Sequence, residues 1–300
     1  MQDRVVRIFL FLCGFLLVAW IVYALGKLLI PVTDRADKAI LAACNPDHYV
    51  PVLDQFLRAL TDYTNFLIAA PLFSFAIASL LYRLVRKGKT VFAGLLAAET
   101  VIIAILAALG KIWPNNTYVL SNVFLVIGIL LAFCAAAIAF DRMTDDAMRR
   151  FFWISLLALL SGYMAGSVST EWIKKAVARP RPLNSANAPW NEHLRIVPDE
   201  NLHGRNSYPS GHTSGTFGLL TPLFLFIRNR KGRAALIGWG VLQGYARVYT
   251  AAHFPFCCLM GAVLGLSIGT LVFFTLGGPY LRGQERSPAD TTANRSFGVA

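Results

Sequence analysis

Charge is scarce in this 300-residue chain. Only 15% of residues are Asp, Glu, Lys or Arg, against 56% apolar residues. Mean hydropathy is +0.55. That balance excludes an ordinary soluble domain and points to a polytopic membrane protein. Acidic residues are scarcer still, 16 against 28 basic ones, for a net charge of +12. A basic excess can signal nucleic acid, but here the basic residues fall in short loops between apolar runs, the membrane-topology pattern. No nucleic-acid partner is expected. The five cysteines, at 13, 44, 134, 257 and 258, have neither zinc-site nor disulfide-framework spacing. They do not fix the redox compartment. No internal repeat or low-complexity tract is evident.

What is present is a series of apolar runs. About 30 Å of hydrocarbon needs roughly 20 apolar residues in a helix. The first run is 8–25, after Arg4 and Arg7 and before Lys27. It exceeds a signal-peptide core and lacks a clear cleavage site, so it reads as a retained helix. Residues 31–63 are mixed and polar, with a surface helix expected around 52–60. Further spans are expected at about 64–82, 90–110, 120–140, 151–171, 213–227, 234–252 and 257–278. The fold class is therefore all-α, a bundle of about eight spanning helices. The polar tail from about 281 is expected to be disordered.

Lys and Arg set the orientation. Three short connections carry Arg83, Arg86, Lys87 and Lys89; Arg142, Arg149 and Arg150; and Arg228, Arg230, Lys231 and Arg233. The connection at 111–119, on the other side, has only Lys111. This bias puts both termini in the cytoplasm. It places loop 172–212 outside, with the ends of the helices around it.

Three chemistry-bearing clusters then fall on that one extracytoplasmic side. In the first, Pro180 and Pro182 should stop a helix. Lys174 sits on its last turn and Arg181 just beyond. A mobile ammonium and a planar guanidinium together suit a phosphoryl group, although snorkelling interfacial cations give the same pattern. The second is Pro209-Ser210-Gly211-His212 at the start of an apolar run. A helix start offers unpaired N–H groups and partial positive charge. Ser210 can cap or donate, Gly211 permits close approach, and His212 can move a proton. In the third, Arg247 precedes His253 by six residues at a helix end. An arginine there calls for a polar cavity, or marks the water interface.

Together the clusters supply two histidines and three cations around one helix N-terminus. The acids between Lys174 and Cys257 are Glu192, Asp199 and Glu200, all in the loop. They are too few and badly placed for a two-metal phosphatase. Metal-free phosphoryl transfer through histidine is the natural chemistry, and no cofactor or metal is expected. One imidazole attacks phosphorus; the other protonates the leaving oxygen and then activates water.

The three clusters also carry a resemblance. Lys174-x6-Arg181-Pro182, Pro209-Ser210-Gly211-His212 and Arg247-x5-His253 resemble, in order and spacing, the motifs of the type-2 phosphatidic acid phosphatase superfamily over about residues 151–278. By position the resemblance implies His253 as nucleophile and His212 as general acid, with Lys174, Arg181, Ser210, Gly211 and Arg247 binding phosphate. It implies lipid phosphates as substrates, among them phosphatidate, phosphatidylglycerophosphate, undecaprenyl pyrophosphate and lipid A phosphates, and a bacterial inner membrane suits it. It also implies a six-helix-like phosphatase core with two extra helices within about 64–140, and the chain then divides into an N-terminal membrane region at 1–150 with four expected spans, a histidine phosphatase core at 151–280 and a polar tail at 281–300 that the topology makes cytoplasmic. Oligomeric state is not readable.

Two positions depart from the pattern. Ala246 replaces the family's Ser. Cys257 stands where the family has the Asp that orients the nucleophilic histidine, and a neutral thiol is a poor acceptor. Three readings stay open: another acceptor (a backbone carbonyl, Asp199 or Glu200) orients His253; the enzyme is slow; or the protein binds phospholipid without turnover. Transfer to a lipid acceptor instead of water is the other enzymatic alternative. Glu99, an acid inside an apolar run, is a functional flag or the partner of an interfacial cation. Trp190 and Tyr208 read as an interfacial belt more than a lid, and His193 and His203 as surface loop residues.

Overall fold

Apolar runs this long leave the backbone one way to satisfy its own polar groups in hydrocarbon, the α-helix. The computed structural model describes residues 2–45, 47–48, 50–85, 88–108, 119–195 and 204–277. Among them are eight long helices. We label these α1 (Gln2–Cys44), α2 (Pro51–Val85), α3 (Lys89–Ala108), α4 (Val119–Arg142), α5 (Asp145–Val177), α6 (Gly211–Phe226), α7 (Arg230–Tyr249) and α8 (Pro255–Gly277). The expected tail beyond 281, His203, Asp199 and Glu200 lie outside the described residues.

This is an all-α, multi-pass membrane protein with six candidate spans, α1 to α5 and α8. The other two are of a different kind. α6 has 16 residues and so extends about 24 Å, short of the hydrocarbon thickness. α7 starts with Arg230, Lys231 and Arg233 and ends with Arg247, which lowers its apolar content.

The first two helices are longer than expected. α1 runs 43 residues, about 65 Å and twice the hydrocarbon thickness. Past 25 it continues as a more polar helix, with Asp34 and Lys38 paired one turn apart at 2.7 Å. The surface helix expected near 52–60 is instead the opening of α2. Sequence periodicity marks where a helix is apolar, and a helix can continue where it is not.

α3 and α4 pack on each other and against α2, which identifies them as the peripheral pair. The main core joins α1, α2, α5, α6, α7 and α8 through residues such as Phe11, Val22, Leu72, Ile154, Leu220, Val248, Leu264 and Ile268. Phe75 of α2 meets Phe140 of α4 edge-on at 5.3 Å. Glu99 on α3 accepts a hydrogen bond from Ser74 on α2 at 2.6 Å, so the intramembrane acid is bound by a hydroxyl.

The closest packing is between α6 and α8. Gly261, Gly265 and Gly269 recur every four residues along one face of α8. A Cβ at 261 would come within 2.7 Å of the Ser210 carbonyl oxygen, and one at 265 within 2.7 Å of Phe217 Cβ. The absent side chains let the two backbones touch. This seats the start of α6 beside the start of α8.

Gly265→Leu should therefore separate these helices. The expected loss is about 1–3 kcal/mol, read as a lower melting temperature in detergent. Leu266→Ala, one position on and 43% exposed, should cost no more than about 0.5 kcal/mol.

Candidate active site

Each cluster is placed by a helix end. The first lies on the last turn of α5. Residues Met164–Ser169 of that helix are π-helical, a local widening common at functional sites, and its Gly166 packs against Gly211 and Gly215 of α6. The helix stops at Ala178, which adopts a left-handed φ of 52° and donates its N–H to the Lys174 carbonyl at 2.8 Å. Proline at 180 and 182 then prevents helix from resuming. Arg181 is held by its Nε on Asn206 Oδ1 at 2.7 Å and by its N–H on the Gly204 carbonyl at 2.9 Å.

The second cluster opens α6. Ser210 is fully buried and is the N-cap, accepting from the Thr213 N–H at 3.4 Å, with its Oγ 2.9 Å from Thr213 Oγ1. Its own N–H donates to the Cys257 carbonyl at 3.0 Å. Of its two sequence roles, capping is the one the geometry displays. Gly211 has no side chain in the way of Lys174, whose Nζ would stand 3.2 Å from a Cβ placed there. His212 is half-buried, and its carbonyl accepts from Asn65 Nδ2 of α2 at 3.3 Å.

The third cluster closes α7. Ala251 has φ of 53° and turns the chain back, so that the Ala252 and His253 N–H groups both donate to the Arg247 carbonyl at 3.1 Å. This strained turn converts a six-residue separation into contact. Arg247 and His253 are both buried, 2% and 1% exposed.

The three clusters meet. Arg247, Arg181 and Lys174 all lie close enough to both imidazoles to act on their charge. Lys174, Gly211 and His212 line a cavity of about 730 Å³ between α2, α5 and α6. It continues along the same helices past Gly215, Tyr163 and Ala69 to Phe73, Leu159 and Leu219. Eight residues of helix is about 12 Å, so the lining changes from cationic to apolar over that length. Among the described residues, no three His, Cys, Asp or Glu side chains converge as a metal-binding group.

His253 has a defined partner. Its Nδ1 lies 2.6 Å from the Ser207 carbonyl oxygen. A carbonyl only accepts, so Nδ1 carries the proton and Nε2 keeps the lone pair. Among the described residues the acceptor is a backbone carbonyl, one of the options considered from sequence; Asp199 and Glu200 lie outside them. Burial pushes the His253 pKa well below the ordinary histidine range; Arg247, Arg181 and Lys174 push the same way, and the Ser207 carbonyl opposes them.

Several residues here escaped the sequence reading. Ser207, Asn206 and Asp37 carry no motif. Asn65, a polar residue opening an apolar run, was a usable signal. Tyr208 is no interfacial belt residue: it is fully buried, with its hydroxyl donating to the Val22 carbonyl at 2.7 Å. Trp190 stacks on Phe254, beside His253, at 6.1 Å. His193 is exposed, as a surface loop histidine would be.

Two histidines and three cations thus gather at one helix start, an arrangement chemically able to hold an anionic group. Residues 152–277 match the PAP2 superfamily. The chain is 29% identical over 110 residues to a lipid A 4′-phosphatase of Bacteroides thetaiotaomicron, covering 37% of this chain and 48% of that one. It is 26% identical over 187 residues to a probable diacylglycerol pyrophosphate phosphatase of Schizosaccharomyces pombe, covering 51% and 64%. It is 34% identical over 67 residues to an undecaprenyl-diphosphatase of Bacillus subtilis, covering 22% and 34%. The matches thus span between about a third and two thirds of these relatives' lengths. No solved structure matches the chain.

A histidine with a lowered folded-state pKa binds protons less readily than in the unfolded chain. Its stabilising contribution is present above about pH 6.5 and is lost as pH falls toward the folded value. Melting temperature in detergent should therefore drop on acidification below that pH. His253→Gln, which does not titrate, should show a smaller drop.

Proposed function

We propose that this protein is an integral membrane lipid phosphatase acting through a phosphohistidine, without a metal. The observation that carries the reading is the convergence of His212, His253, Lys174, Arg181 and Arg247 at the start of α6, beside a cavity that turns apolar within about 12 Å. A phosphate head group suits the charged end and a lipid chain the apolar end.

In this mechanism, His253 Nε2 donates its lone pair to phosphorus as the bond to the leaving oxygen breaks. His212 in its protonated form gives that oxygen its proton, then as a neutral base takes one from water, which attacks phosphorus and releases phosphate and His253. Lys174, Arg181, Arg247 and the first N–H groups of α6 stabilise the charge on the non-bridging oxygens. The names of the three relatives, all phosphatases of lipids or lipid diphosphates, support the same class of substrate.

The proposal extends to placement. Eight helices cross the membrane with both termini cytoplasmic and the site outside, in a bacterial inner membrane; residues 1–150 form the N-terminal membrane region, 151–280 the phosphatase core and 281–300 a tail. Cys257 favours one competing reading, a phospholipid-binding protein with weakened turnover, because its thiol replaces the expected carboxylate.

Phosphate release from a panel of lipid phosphates, by the purified protein with chelator present, tests the reading. Release should persist with chelator and vanish in His253→Ala. No release from any lipid, with phospholipid binding intact, would leave the binding reading standing. Ala69→Trp, which narrows the apolar end of the cavity, should raise KM for a long-chain lipid phosphate more than for a short-chain one.

A further inference from the structure

The carboxylate missing at position 257 has a counterpart elsewhere in the chain. Asp37, on α1, is buried, 3% exposed. Its Oδ1 accepts from the Phe256 N–H at 2.8 Å. That N–H lies in the first turn of α8, where Phe254, the N-cap, has no capping side chain. A carboxylate from a different helix thus caps α8. The other oxygen, Oδ2, is 2.8 Å from Arg179 Nη1. The same nitrogen is 3.3 Å from Cys257 Sγ.

Ser207 connects this group to the histidine. Its Oγ is 3.4 Å from Cys257 Sγ. Its N–H donates to the Arg179 carbonyl at 3.0 Å. Its own carbonyl is the acceptor for His253 Nδ1. Arg179 is therefore fixed at both ends. Its guanidinium lies between Asp37, Asp34 and Cys257, over the Phe254 ring at 4.1 Å. Its carbonyl holds Ser207. With its N–H and hydroxyl both engaged, Ser207 has its carbonyl aimed at the imidazole.

We propose that Asp37 and Arg179 are positioning residues for His253, holding the Ser207 carbonyl on Nδ1 and so doing the orienting work of the carboxylate absent at 257. Neither needs to touch substrate. The kinetic consequence rests on the phosphatase reading; the structural one, which nitrogen of His253 carries the proton, does not. The plain alternative is a buried ion pair that docks α1 and leaves the imidazole alone.

Asp37→Asn separates the two, since it keeps an oxygen for the Phe256 N–H and removes the charge. Solid-state ¹⁵N NMR of histidine-labelled full-length protein should show His253 protonated at Nδ1 in the native chain and as a mixture of tautomers in Asp37→Asn. Phosphate release should show kcat reduced about 10- to 100-fold, as for a misplaced catalytic group, with KM little changed. Adding Cys257→Asp, which puts a carboxylate on the near side of Arg179, should restore both the tautomer and kcat. Should Asp37→Asn not fold, Arg179→Lys, whose single ammonium cannot span Asp37 and Cys257, should give the same mixture. A native tautomer in the folded variant, or a kcat loss that Cys257→Asp does not restore, would overturn the proposal. Absence of any phosphate release from native protein would instead remove the phosphatase reading, with the NMR result still deciding this one.

Discussion

Arg179 is a cation at 4% exposure, and a buried charge is tolerated only when paired and hydrogen-bonded. That requirement draws three separate parts of the chain to one place. Asp37 brings the second half of α1, Cys257 brings the start of α8, and the Arg179 carbonyl brings the loop segment before α6. Such a pair adds little net stability over an apolar replacement, but removing one partner costs about 3–5 kcal/mol because the other is left buried alone. Its value here is geometric: it can form only when all three parts are in register.

The start of α6 has the opposite character. Lys174, Arg181 and Arg247 crowd two imidazoles, and their mutual repulsion is a cost to the fold. The cost is offset by packing remote from the site, above all the glycine face of α8 against α6. Packing of this kind fixes the cations and the helix start relative to one another before any ligand is present. Burial and the same field both disfavour the charged form of His253.

The outlying pair, α3 and α4, stands apart from this economy of contacts. It packs mainly on α2 and meets the start of α5 through the Lys89–Asp145 ion pair at 2.6 Å, and α2 in turn lines the cavity through Asn65, Ala69 and Phe73. The pair thus reaches the site at one remove, by bracing one wall of the cavity.

Much of this was legible in the sequence. Eight helices could be counted because apolar run length is a local property, although only six of them are long and apolar enough to be candidate spans. The three clusters could be expected near one another because Lys and Arg placement, which suggests their side, is also local. The helix stops at Pro180 and Pro182, the cap at Ser210 and the spacing of Arg247 and His253 were likewise written in neighbouring residues. What the sequence could not decide was how the clusters join. The left-handed turns at Ala178 and Ala251 have no glycine to announce them. The continuation of α1 to Cys44 was hidden because a polar helix carries no membrane signal. Most of all, the partners of the third cluster come from far away: Ser207 is 46 residues from His253, and Asp37 is 219 from Phe256. Contacts over such distances arise only when helices pack, so the sequence determined which chemical groups the protein has, and tertiary structure alone decided what holds the histidine.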